Sequence, residues 1–192
     1  MKPLFDEREF EALVSTYGKE ARKHVVTLQA GDEKFFYDFK KNVERDRRGE
    51  VAFAVERKNG KIVIIRTSFY PKNIYRIPTG GISYGEDIIE ALYREVKEEL
   101  GLQVDIQKFL GAIEYNIYYN DEQVNFYSYV FLLKELSGNI LTDALEDEVS
   151  EYREVDKQQL AEQVEILNNF KGSWKDWCTF RAQSTGFVLH YI

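Results

Sequence analysis

Three carboxylates crowd into five positions at Glu95, Glu98 and Glu99, with Arg94 beside them. Residues three and four apart are neighbours on a helix surface, so these acids would share one side of it. Packed that closely, like charges repel and raise one another's pKa. Arg94, four residues before Glu98, offsets one of the charges but not all of them. A hard cation such as Mg²⁺ answers the rest, because it takes oxygen ligands and completes its shell with water and substrate phosphate. Just upstream, Pro78-Thr79-Gly80-Gly81 and Gly85 supply a loop whose backbone can come close to such a site. A carbonyl of that loop offers one more oxygen. The plainer reading is a solvated acidic helix face in a chain with 31% charged residues. The fixed offsets of both glycines, Glu86 and Arg94 favour the metal.

These groups need an element to hold them. From Glu86 to Leu100 there is no Gly or Pro, and Glu, Ala, Leu, Arg and Lys dominate, so the stretch reads as a helix. Gly101 follows where a left-handed cap is expected. Projected at about 100° per residue, Ile88, Ile89, Leu92, Val96 and Leu100 form an apolar stripe that faces a core. Glu95, Glu98 and Glu99 run along its edge, where a cleft wall would stand, and Glu90, Tyr93 and Lys97 face solvent.

Gly80, five residues, Glu86, seven residues, then Arg94-Glu95-Val96-Lys97-Glu98-Glu99-Leu100-Gly101-Leu102 resembles the signature of the Nudix hydrolase family at every defined position. The flanking pattern extends the resemblance over roughly residues 50 to 157. It implies an α/β protein, a Nudix-type α/β/α sandwich with a mixed β-sheet. An N-terminal helix/hairpin extension and C-terminal helices would be added to it. It also implies metal-dependent hydrolysis of a diphosphate linkage in a nucleoside diphosphate joined to another moiety, by in-line attack of metal-activated water. By the same resemblance Glu95, Glu98 and Glu99 hold Mg²⁺, with Mn²⁺ as a substitute, and the Gly80 carbonyl joins them. Arg94 fixes the glutamates and Glu86 supports them. Ser83 departs from the pattern, since many members carry glutamate there, but the metal ligands are intact. The general base is either a box glutamate or an acid on a distant loop, here Asp143 to Glu148. Glu146 and Glu148 are the candidates there, although a run of acids also reads as solvated surface. Arg76, beside the glycine loop, and Gly81 are the candidate substrate contacts, with a surface salt bridge as the other reading of Arg76. The alternative function is a non-catalytic sensor module of the same fold. The complete carboxylate set argues against it, since sensing alone does not require every acid.

The 192 residues suffice for one domain: an extension over 1–49, a core over 50–157 with the box at 80–102, and a helical segment over 158–192. A net charge of −7 argues against binding a nucleic acid polymer and leaves a small nucleotide-type substrate open. With one cysteine, Cys178, no intrachain disulfide forms. No apolar run approaches a membrane span and Met1-Lys2-Pro3 leads into no signal-peptide core, so the expectation is cytoplasmic. The resemblance adds a homodimer built through the amino-terminal extension.

Along the rest of the chain, Asp6 to Tyr17 has helical spacing. His24 to Gln29 and Phe35 to Phe39 read as two strands of a hairpin turning at Gly31-Asp32. Lys40-Lys41 and Arg45 to Arg48 read as a solvated loop, in preference to phosphate steering. Val51 to Arg57 and Lys61 to Thr67 form a hairpin at Asn59-Gly60, and Tyr75 to Ile77 a short strand. Val104 to Tyr118 pairs with Val124 to Leu133, and the hairpin's aromatics read as sheet packing before base stacking. Glu151 to Val155 is a strand, and Asp156 caps a helix from Lys157 toward Leu167. Ser173 begins another, with Asp176 at the reciprocal capping position. Cys178 reads as a small buried hydrophobe, and His24 and His190 as too isolated for a zinc or histidine mechanism.

Overall fold

The computed structural model describes residues 4–140 and 149–192. In chain order its elements are α1 (Glu7–Tyr17), β1 (Arg22–Gln29), α2 (Glu33–Arg45), β2 (Arg47–Glu56), β3 (Ile62–Arg66) and β4 (Thr79–Ser83). They continue with α3 (Ile88–Leu100), β5 (Gln103–Tyr119), β6 (Glu122–Ser137), β7 (Glu151–Val155), α4 (Lys157–Asn168) and α5 (Lys175–Val188).

Strand β2 dictates the layering. Side chains alternate across a strand, and here Val51, Phe53 and Val55 enter one apolar cluster while Ala52 and Ala54 enter another. A strand buried on both faces needs cover on both. Helices α1 and α3 supply one cover through Phe10, Leu13, Ile88, Leu92, Val96 and Leu100. Helices α2, α4 and α5 supply the other through Phe36, Val43, Leu160, Phe180 and Val188. The result is the expected α/β/α sandwich around a mixed sheet ordered β1-β5-β6-β2-β3-β7, with β4 paired to β2. Strands β2 and β6 run parallel, as do β1 and β5, and β5 with β6 forms the long antiparallel hairpin. Its aromatics Tyr115, Phe126, Tyr129 and Phe131 are at most 1% exposed, which is the packing reading.

Four sequence expectations are corrected. Phe35 to Phe39 is not a strand but part of α2. Asp32 caps it by accepting the Lys34 N–H at 2.9 Å, and burial of Phe36 and Val43 seven residues apart follows helical rather than alternating spacing. Aromatic residues favour sheets in general, and here the cap and the helical period override that preference. The basic stretch is not a solvated loop: Lys40, Lys41 and Arg45 lie in α2, Arg47 opens β2, and Arg48 is wholly buried. Tyr75 to Ile77 makes only an isolated bridge between Arg76 and Ile65. Asp176 makes no reciprocal cap with Ser173. Its carboxylate accepts the N–H groups of Gly31 and Asp32, each at 2.7 Å, and so fastens the start of α2 to α5.

Candidate active site

Helix α3 begins at Asp87, whose carboxylate accepts from Ile89 and Glu90, and ends at Gly101 in the left-handed conformation at φ 67°. Burying Ile88, Leu92, Val96 and Leu100 contributes about 1.5–3 kcal/mol each, which fixes the helix rotation. That rotation turns Glu95 and Glu99 inward, to 7% and 4% exposure. Glu98 stands on the rim with its side chain 57% exposed. The acidic stripe is therefore split between a cleft and its edge.

Gly80 explains how Glu95 is accommodated. A Cβ at position 80 would lie 1.9 Å from the Glu95 carboxyl carbon. Only a glycine lets the strand backbone lie flush against that carboxylate. Gly81 has a similar role toward Arg47, since a Cβ there would fall 2.7 Å from the Arg47 Nε. Gly80, Gly81, Glu95 and Glu99 line a cleft of about 220 Å³ together with Thr67, Thr79, Phe69, Tyr70, Arg47, Arg76 and Arg181.

Arg94 ties the acids together. Its Nε and one Nη donate to the two Glu86 oxygens at 2.8 and 3.1 Å. The other Nη donates to Glu95 at 2.6 Å and Glu98 at 3.1 Å, and the Gly81 carbonyl accepts at 2.9 Å. Glu86 also accepts the Ser83 N–H at 3.0 Å. This bond uses backbone, so the side chain at position 83 is not needed for it. Burial raises the Glu86 pKa, but the Arg94 and Ser83 hydrogen bonds outweigh it and hold the carboxyl below its ordinary value. Behind the loop, Arg48 donates to both Glu9 oxygens at 2.9 and 3.1 Å and to the Glu86 carbonyl at 2.8 Å. The amino-terminal helix is thereby wired to the glycine loop.

Arg76 is not a surface ion-pair partner. It is 5% exposed at the cleft wall, donating to the Tyr70 hydroxyl at 3.3 Å and the Ile77 carbonyl at 2.9 Å. Two further arginines line the cleft: Arg47, which sequence reading assigned to a solvated loop in preference to phosphate steering, and Arg181, which it missed. Arg47 reaches the cleft from the first position of β2 and makes no ion pair among the described residues. Its only sequence signal was membership of a charge run. Arg181 reaches it from α5, held by both Glu50 oxygens at 2.9 and 2.8 Å. Nothing in sequence could bring positions 50 and 181 together. Cys178 is buried, which pushes its thiol up to about 12, and so it stays a protonated hydrophobe. Glu146 and Glu148 lie outside the described residues.

Among the described residues no three His, Cys, Asp or Glu side chains already form a cage for a divalent cation. The donors are nevertheless all hard oxygens, the Gly80 cradle would be filled by any Cβ, and the Thr67 hydroxyl lies buried in the wall with no hydrogen-bond partner among the described residues. Such a set suits a cation that keeps part of its shell for water and phosphate, so the residues fit.

A helix carrying carboxylates into an arginine-walled cleft is the equipment of a hydrolase that works on pyrophosphate bonds. The chain matches the NUDIX domain over residues 46–178 and belongs to the Nudix family. An RNA pyrophosphohydrolase of Campylobacter jejuni is 35% identical over 121 residues, covering 58% of this chain and 74% of that one. An ADP-ribose pyrophosphatase of Methanocaldococcus jannaschii is 33% identical over 84 residues, 43% of this chain and 48% of its own. No helix among the described residues is long and apolar enough to cross a membrane.

Proposed function

We propose that the protein hydrolyses the diphosphate linkage of a small nucleotide-type molecule, a nucleoside diphosphate joined to another moiety, with Mg²⁺ or Mn²⁺ as cofactor. The observation that carries this reading is the Glu95 carboxylate seated flush on Gly80, in a cleft that Glu99 and three arginines also line. Glu95 and Glu99 with the Gly80 backbone would hold the cation, and Glu98 joins from the rim. When bound, the cation supplies Lewis acidity at the phosphoryl oxygens and activates water. Arg47, Arg76 and Arg181 bind and orient the anionic diphosphate, while the Gly81 backbone leaves room beneath it. Arg94 keeps Glu95 and Glu98 in register. A carboxylate takes the proton of the attacking water, with Glu95, Glu98 and Glu148 as the candidates. In the same reading residues 1–49 and 158–192 complete one catalytic unit with the core.

The relative from Campylobacter favours a second substrate, an RNA. The chain's net charge of −7 disfavours polymer contact away from the cleft. A panel of ADP-ribose, nucleotide sugars, dinucleoside polyphosphates, nucleoside triphosphates and RNA, run with Mg²⁺ and with chelator, decides the matter. Metal-dependent phosphate or nucleoside monophosphate release from a small substrate is the expected result. Ligand binding without any release would replace the enzyme reading with the sensor.

A further inference from the structure

Beyond the cleft lies a larger chamber of about 450 Å³ that the pyrophosphate chemistry does not use. Helices α2 and α5 face each other across it. Helix α2 contributes Phe35, Phe39 and Val43, four residues apart and hence on one face. Trp174, Trp177 and Phe180 come from the other side, and Phe126 from β6. Phe35, Phe39, Trp174 and Trp177 are only partly buried, so the chamber is an open aromatic wall rather than closed core.

The chamber is joined to the cleft by two cations. Arg47 and Arg181 line both cavities. The Arg181 side chain is only 9% exposed, and both of its bonds to Glu50 use one Nη. Glu50 thereby fixes the guanidinium at the junction of the two cavities. The same guanidinium lies 5.7 Å from the Trp177 ring centroid, which couples the charged and aromatic parts of the surface.

We propose that this chamber seats a planar nucleobase, with Arg181 and Arg47 receiving the linked phosphates at its inner end. The proposal rests on the pyrophosphohydrolase reading for the direction in which the ligand lies. Base–aromatic stacking is sequence-tolerant because every base presents a π-face, and a two-helix aromatic wall beside arginines suits that chemistry. The specificity surface is then built by α2 and α5, outside the glycine loop and α3.

The chain's two tryptophans are both in the chamber wall, so tryptophan emission reports on this site; both also pack on Tyr70 of the cleft wall, and the pyrophosphate titration reads that contribution separately. The experiment titrates the full chain with ADP, UDP and inorganic pyrophosphate in chelator, with excitation restricted to tryptophan. No turnover is asked for, so loss of hydrolysis and loss of chamber binding are read separately. Saturable quenching by ADP or UDP, with none by pyrophosphate, is expected. Phe39→Ala should weaken it about tenfold or more, as loss of one stacking ring does. Because Phe39 also packs on Phe126 and Phe180, the half-buried Phe35→Ala variant is run beside it and should weaken binding in the same direction. Glu99→Gln should leave the quenching intact while cutting turnover by at least about 10²-fold. Quenching by neither nucleotide, equal quenching by pyrophosphate, or affinity unchanged in both phenylalanine variants would overturn the proposal.

Discussion

Arg94→Lys tests the reading most directly, because it keeps the positive charge and removes only the planar fork. Arg94 makes five hydrogen bonds, two to Glu86, one each to Glu95, Glu98 and the Gly81 carbonyl. A lysine ammonium cannot reproduce the paired geometry toward Glu86. The Glu98 contact is on the rim, where such pairs are worth about 0.3–0.5 kcal/mol. The Glu86 and Glu95 contacts involve carboxylates only 19% and 9% exposed, and charged hydrogen bonds of that kind reach about 1.5–3 kcal/mol when fully buried. Arg94 itself is 36% exposed, so these values must be discounted for screening. A loss of about 1–2 kcal/mol in urea unfolding is expected for the lysine variant. Misplacing Glu95 by about an ångström should lower kcat about 10²-fold. The pH dependence gives the sign. The Glu86 carboxyl is held below its ordinary value of 4.5 in the folded protein. It therefore contributes stability that is present above that value and lost as pH falls through the lower folded value. The stability gap between wild type and Arg94→Lys should be full near neutrality and close as pH falls through the lowered folded value. A gap under about 0.3 kcal/mol at neutral pH with kcat within twofold, or a gap that widens in acid, would refute the argument.

Gly80→Ala should abolish turnover, since its methyl would overlap the Glu95 carboxyl carbon at 1.9 Å; steady-state kinetics beside circular dichroism will show whether the loss exceeds any unfolding. Glu99→Gln should cut kcat by at least about 10²-fold and weaken Mn²⁺ binding in calorimetry, and equal Mn²⁺ affinity would remove Glu99 from the ligand set. Arg47→Ala should raise KM for an anionic substrate with little change in kcat if its cation, as proposed, meets the phosphates equally in ground state and transition state; a kcat-only defect would contradict that role. Arg48→Met should cost about 1.5–3 kcal/mol by removing the charged hydrogen bonds from Arg48 to Glu9 and to the Glu86 carbonyl, checked by thermal unfolding.

Much of the candidate site's geometry was legible because its determinants are local. The helix of Glu95 and Glu99, its apolar stripe and its Gly101 stop all lie within one short segment, and a 3.6-residue period can be read there without knowing the fold. The split between Glu95 and Glu99 inside and Glu98 on the rim was not legible. It depends on how far Val96 and Leu100 turn the helix into the core, which is a tertiary quantity. The false hairpin at Phe35 to Phe39 failed for a related reason. Aromatic clusters serve either sheet or helix, and the choice was made by Asp32 capping the chain and by Asp176 gripping Gly31 and Asp32 from 144 residues or more away. Arg47 was hidden by its neighbours. Within Arg45-Asp46-Arg47-Arg48, one arginine ends a helix, one enters the cleft and one is wholly buried on Glu9. A mixed basic stretch gives no hint of such divergent fates.

The segments outside the glycine loop and α3 also do more than cover the sheet. Arg48 connects α1 to the Glu86 carbonyl, and α2 with α5 encloses the aromatic chamber. The loop and α3 could thus position a phosphate identically in proteins that differ in what they accept. If binding is shared in this way, changes at Phe35 or Trp177 should weaken nucleotide binding while leaving the metal requirement untouched. Changes at Glu95 or Glu99 should do the reverse. A double-mutant cycle between Phe35→Ala and Glu99→Gln measures the separation: kinetic effects that multiply within about twofold, equivalent to coupling under about 0.5 kcal/mol, fit two independent halves. Strong coupling would mean that the chamber and the acidic cleft are a single device, and that base recognition helps to assemble the catalytic geometry.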